Sequence, residues 1–238
     1  MTKHHSEILQ IIKMNSGQAT EHTFLDSYLG NTHPRYAINA PTLRLIGKEW
    51  MKDHKKLSAV DFQKTLTSLI GGKSSTEKCF AGVLLDASTQ DQRRFDPRCF
   101  EKWLDHLVGW AEVDSVCTGD YTITAIPGNF STWKKILIRL SKSKNINKRR
   151  ASLVFLCSPL RRVKDERLAI LALENVDRLK REKENLITRA TSWVLRSMAN
   201  HHKMLLENYL KKNQNELPAI AVRETRTKLK TGKKTVKQ

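Results

Sequence analysis

Residues 103–117 read Trp-Leu-Asp-His-Leu-Val-Gly-Trp-Ala-Glu-Val-Asp-Ser-Val-Cys. Trp103, Leu107, Trp110 and Asp114 recur at helical spacing, so this reading sets all four on one side of a helix. Three are apolar and the fourth is a carboxylate. A bare buried charge is costly, so an acid on such a stripe needs a partner or a task.

The same periodicity runs outward in both directions. Expected helices cover 5–14, 20–29, a segment opened by Pro41 with Leu43, Leu45, Ile46 and Trp50 inward, 59–70 capped by Ser58, 76–87 and 97–108, with Gly109 at a bend before 110–118. They continue over 130–142, 148–157, 163–178, 182–199, 201–213 and 217–229. The one tempting strand is Tyr121-Thr-Ile-Thr-Ala. Many helices on short polar connections imply an all-α fold, a curved solenoid of antiparallel helix pairs. A single domain over 1–230 with a basic, disordered tail at 231–238 is the expected organisation.

Charge narrows the partner. The chain of 238 residues carries 43 Lys and Arg against 24 Asp and Glu, a formal net charge of +19. Such an excess points to a polyanion, nucleic acid being the commonest, and a basic concave face suits a rod-like one. Lys134 to Arg150 contains eight basic residues and no acid, and the end of the chain from Arg223 is similarly biased. No long apolar run or lipidation signal points to a membrane. The polar N-terminus lacks a signal-peptide core, and the cysteines, Cys79, Cys99, Cys117 and Cys157, fit no zinc or disulfide spacing. Free thiols in a reducing, cytoplasmic setting are expected.

Metal and nucleotide motifs are weak. The pairs His4-His5 and His201-His202 place adjacent side chains on different sides of a helix, and no His-Glu-x-x-His or Cys-x-x-Cys occurs, so no metal is expected. Gly71-Gly-Lys-Ser lacks the earlier glycine of a phosphate loop, since position 67 is Thr67, and reads as a helix stop followed by a helix start.

Three stretches remain: Trp110 to Asp114, the Lys148-Arg149-Arg150 opening of an apolar helix, and Ala-Thr-Ser-Trp-Val-Leu-Arg at 190–196. Together with Leu-Pro-Ala-Ile-Ala-Val-Arg-Glu at 217–224, they resemble the DNA alkylation-repair glycosylases of the AlkD type. The resemblance spans nearly the whole chain and implies HEAT-like helix pairs. It also implies a monofunctional DNA N-glycosylase without cofactor, acting as a monomer on double-stranded DNA with alkylated bases. By the family pattern Asp114 is the catalytic carboxylate, and Trp110 and Trp193 are the active-site aromatics. Arg150 is the phosphate-side arginine, with Arg149 open as an alternative and Lys148 beside them, and Tyr28 contributes to the cleft. The chain departs from the pattern at 118–130, and it carries Ser197 where relatives often have Glu.

The implied substrates are purines alkylated at N3 or N7, whose positive charge already weakens the glycosidic bond. No general acid is then needed. A fixed carboxylate steadies the charge that develops on the sugar, or orients the attacking water. Indole faces attract the cation, each by about 0.5–2 kcal/mol. The resemblance implies that the base stays stacked rather than being flipped out. A non-catalytic helical module that binds nucleic acid or protein is the alternative.

Overall fold

The computed structural model describes residues 1–17, 19–20 and 30–235. Among them nearly all regular structure is helical, so the fold is of the all-α helical-repeat kind that the periodicity implies. The chain divides into two units, Met1–Tyr121 and Thr122–Gln238.

The first unit contains α1 (Lys3–Met14), a two-residue β1 (Ala19–Thr20) antiparallel to β2 (Arg35–Tyr36) with Ala19 opposite Tyr36, α2 (Ala40–Asp53), α3 (Ala59–Ile70), α4 (Ser75–Ala87), α5 (Cys99–Trp103) and α6 (Gly109–Cys117). Helix starts are written locally. Asn39 Oδ1 accepts from Thr42 N at 2.9 Å with Pro41 in the first turn of α2, and Ser58 Oγ accepts from Asp61 N at 3.1 Å at the start of α3. Gly71 ends α3 and Ser74 opens α4 through a reciprocal capping box with Glu77, so Gly71-Gly-Lys-Ser is a stop and a start, as read. Helix α4 is the hub, packing against α2, α3 and α6. Phe62, Leu66, Leu69, Phe80, Leu84 and Leu85 are fully buried, each stabilising the unit by roughly 1.5–3 kcal/mol.

Helix α7 (Tyr121–Gly128) begins at the boundary. The second unit continues with α8 (Phe130–Ser141), α9 (Ile146–Val154), α10 (Cys157–Arg162), α11 (Glu166–Leu179), α12 (Asn185–Ser197), α13 (Lys203–Asn213) and α14 (Ala219–Thr231). Its spine is the packing of α8 on α9, α9 on α12, and α12 on α14. Trp133 meets Phe155 with ring centroids 5.0 Å apart, and the Arg167 guanidinium lies 4.8 Å over the Phe130 ring. Among the described residues no helix is long and apolar enough to cross a membrane.

Several expectations are corrected. The helix expected over 97–108 shrinks to α5, and an extended Val108 (φ −131°, ψ 131°) with a left-handed Gly109 (φ +75°) sets it apart from α6. Trp103 and Leu107 therefore do not share a helix with Trp110 and Asp114. Leu45 is 60% exposed rather than inward. The β-branched run at 121–125 is helical, since burial of Tyr121 and its hydroxyl bond to Val116 O (2.5 Å) outweigh local propensity. The segment expected as 148–157 is split between α9 and α10. The helix expected near 20–29, with Tyr28, falls mostly outside the described residues. At the other end, α14 runs to Thr231, and Lys234 Nζ lies 3.5 Å from Glu224 Oε1.

Candidate functional site

In the first unit the relevant side chains stand on α6. Trp110 and Asp114 are one turn apart; Trp110 is 38% exposed and Asp114 only 9%. The stripe thus presents one open indole and one nearly covered carboxylate on a common helix face.

Helix α6 is anchored from beneath by backbone contact. Ser115 Oγ donates to Cys79 O at 2.8 Å, and the Cys79 thiol lies 3.7 Å from Ala111 O. A Cβ at Gly82 of α4 would fall 2.0 Å from Ser115 O, so this approach of two helices requires glycine. The entry to α6 is equally tight. Gly109, with φ +75°, has no room for a Cβ, which would lie 2.3 Å from Asn31 Oδ1 and 2.8 Å from Gly30 O.

Glu112 completes the anchor. It is fully buried, accepts from Val108 N at 2.8 Å and pairs with His33 Nδ1 at 2.9 Å. One carboxylate thereby closes the first turn of α6 and ties the helix to the preceding loop. Sequence reasoning missed Glu112 and His33. The signal lay in Val108-Gly-Trp-Ala-Glu112, a helix start followed by an acid in its first turn. Burial first, then the nearby charge of Glu112 and to a lesser degree that of Asp114, pushes the Cys79 thiol up to about 12.

In the second unit the relevant side chains stand on α9 and α12. Arg150 is 4% exposed and donates from Nη1 to Leu186 O at 2.6 Å, next to the start of α12. Arg149 is a clamp: Nε lies 2.8 Å from Glu182 Oε1, and Nη1 donates to Ser143 O at 2.9 Å and Lys144 O at 2.8 Å. Lys148 is half-buried. The basic run from Lys134 to Arg150 is thus not one solvated face: Lys134, Lys135, Arg139, Lys142 and Lys144 are exposed, whereas the last three basic residues turn inward.

Trp193 is half-buried on α12, between the buried Ser192 and Val194. Helix α14 holds this segment through Glu224, which accepts from Ser192 Oγ at 2.6 Å and pairs with Arg196 Nε at 3.3 Å. Glu224, the last residue of the 217–224 stretch, supplies a carboxylate to Arg196 from another helix. Burial lowers the Arg196 guanidinium, and the Glu224 charge opposes that shift. Tyr28 lies outside the described residues.

Among curated proteins none matches the chain. A solved structure described as a predicted DNA alkylation repair enzyme from Enterococcus faecalis is similar in fold, with TM-score 0.70 and 17% sequence identity over 87% of this chain and 93% of that one. The family model described as "DNA alkylation repair enzyme" matches residues 14–229, spanning α6, α9, α12 and most of α14. The chain therefore belongs to the DNA alkylation repair enzyme family.

Proposed function

We propose that this protein is a DNA N-glycosylase that hydrolyses the bond between deoxyribose and a cationic N3- or N7-alkylated purine in double-stranded DNA. The observation that carries this reading is the pair on α6: a carboxylate, Asp114, one turn from an exposed indole, Trp110, on a helix held by main-chain contacts. A carboxylate fixed before the substrate arrives need not reorganise as positive charge grows on the sugar. Trp110 and Trp193 are assigned the cation-facing aromatic surfaces. Arg150 is assigned the phosphate contact by the family pattern, with Arg149 the alternative; both guanidinium groups already have protein partners, Leu186 O for Arg150 and Glu182 with two carbonyls for Arg149. Lys148 and Tyr28 add to the DNA contact. The base remains stacked during the reaction, and the protein works as a monomer in the cytoplasm. The family match runs through both units, which supports reading 1–230 as one functional domain, with 231–238 a basic extension.

The test is release of 7-methylguanine from methylated duplex DNA by the wild type and by Asp114→Asn. Release by the wild type should fall at least about tenfold in the variant, roughly 1.4 kcal/mol of barrier. DNA binding without release by the wild type would instead identify a non-catalytic binding module.

A further inference from the structure

Three side chains far apart in sequence close on one point in the first unit. His4 and Glu7 stand one turn apart on α1, and His54 is the C-terminal cap of α2. Glu7 Oε2 is 3.4 Å from His4 Nδ1 and 3.7 Å from His54 Nε2. The three donor atoms all lie within 4.8 Å of one another. Tetrahedral coordination with bonds of about 2.0–2.1 Å sets donors about 3.3 Å apart. Two of the three edges are close to that length already. The third, between the two imidazoles, is no longer than 4.8 Å, and the His4 side chain is 27% exposed.

The outer contacts prepare His54 for such a role. Its Nδ1 is 2.8 Å from Trp50 O. A carbonyl can only accept, so Nδ1 carries the proton and the neutral ring turns the Nε2 lone pair toward Glu7. A backbone carbonyl holding the distal nitrogen is how proteins orient metal-bound imidazoles. The Trp50 ring stacks on His54 at 3.9 Å and 10°, and the His4 ring meets it edge-on at 5.1 Å. Imidazole lone pairs and a carboxylate crowded around one point repel. A proton relieves that repulsion in part, and a divalent cation relieves it at all three donors.

The neighbouring histidine explains why no motif announces the cluster. His5 points the other way, with Nδ1 2.8 Å from Ser68 Oγ and Nε2 2.8 Å from Glu77 Oε1. The adjacent pair does split between two sides of α1, as its spacing implies. The expectation of no metal rested on adjacent pairs and local motifs, and neither reaches as far as position 54.

We propose that His4, Glu7 and His54 form a binding site for a divalent transition metal of the zinc class, which fastens α1 to α2 with its remaining position open to water. Two imidazoles and one carboxylate suit a borderline cation such as Zn²⁺ or Co²⁺ rather than Mg²⁺ or Ca²⁺.

The test uses the full chain, made without a histidine tag and stripped with chelator, titrated with Co²⁺ and separately with Zn²⁺. One equivalent of Co²⁺ should give visible absorption bands of low coordination number without a thiolate charge-transfer band, and Zn²⁺ should abolish them. At free metal a hundredfold above Kd, the unfolding midpoint should rise by about 5–10 °C. Glu7→Gln, which changes a half-exposed side chain, and His54→Ala should each remove both effects, while His201→Ala should keep them. No bands and an unmoved midpoint in the wild type, or full retention of both in Glu7→Gln and His54→Ala, would overturn the proposal and leave a hydrogen-bonded cluster only.

Discussion

Replacing Gly82 by alanine tests how α6 is held. The added Cβ would sit 2.0 Å from Ser115 O, 2.4 Å from Ser115 C and 2.7 Å from Ser115 Oγ, whereas ordinary contact begins near 3.4 Å. The nearest two obstacles are backbone, so no rotamer change relieves them. Helices α4 and α6 must part by about 1.4 Å, the difference between those two distances. Overpacking of this kind costs about 3 kcal/mol, at the upper end of the usual range. Alanine in a helix interior returns about 0.5–1 kcal/mol relative to glycine, leaving a net loss near 2 kcal/mol. Urea unfolding followed by circular dichroism should show the midpoint falling by about 1 M. Because α6 carries Trp110 and Asp114, 7-methylguanine release should also fall, by about a hundredfold if the displacement reaches the reacting atoms. Gly128→Ala is the control, since nothing lies within 4 Å of its added Cβ. A wild-type midpoint in Gly82→Ala would refute the argument that main-chain proximity sets the position of α6.

The Glu77 carboxyl is raised by burial, but hydrogen bonds with His5 and Ser74 outweigh that and hold it below its ordinary 4.5. A depressed folded value means that this contribution is complete above pH 4.5 and is lost as pH falls through the folded value. Glu77→Gln should therefore cost about 1–3 kcal/mol at pH 7 and flatten the acid limb of stability, measured by urea unfolding at pH 7 and pH 4. An acid limb as steep as that of the wild type would count against it. Arg149→Ala should lower stability by about 1–2 kcal/mol while leaving the salt dependence of DNA binding unchanged. A slope reduced by about 0.9 would put Arg149 on a phosphate instead. Burial pushes the Cys79 and Cys99 thiols up to about 12, so iodoacetamide at neutral pH should label the native protein at least about a hundredfold more slowly than the urea-unfolded chain. Rapid native labelling at either cysteine would contradict that environment.

The helical character of the chain was legible because its signals are local. The cap at Ser58, the proline that opens α2 and apolar residues at helical spacing each act within one turn. Misreadings arose where distant contacts decide. Spacing joined Trp103 to Trp110, but α5 ends at Trp103 and α6 begins afresh at Gly109, whose close approach to Gly30 and Asn31 no spacing rule announces. Leu45 fits an inward pattern, yet it is exposed. The run at 121–125 has strand propensity, but the Tyr121 side chain is buried with its hydroxyl on Val116 O. At the candidate site, the relation of Trp110 to Asp114 is one helical turn and could be read directly. The pairing of Arg149 with Glu182, that of Glu112 with His33 and the support of Arg196 by Glu224 all span more than 25 residues, and no spacing rule reaches that far.

The raised thiols bear on the conditions under which a member of this family works. Agents that damage DNA by transferring alkyl groups are electrophiles, and a cysteine reacts with them as its thiolate. With Cys79 and Cys99 kept protonated, and Cys117 and Cys157 enclosed in the interior, these sulfurs present little nucleophile to such agents. Reaction with such an agent should therefore mark the unfolded chain before the folded one.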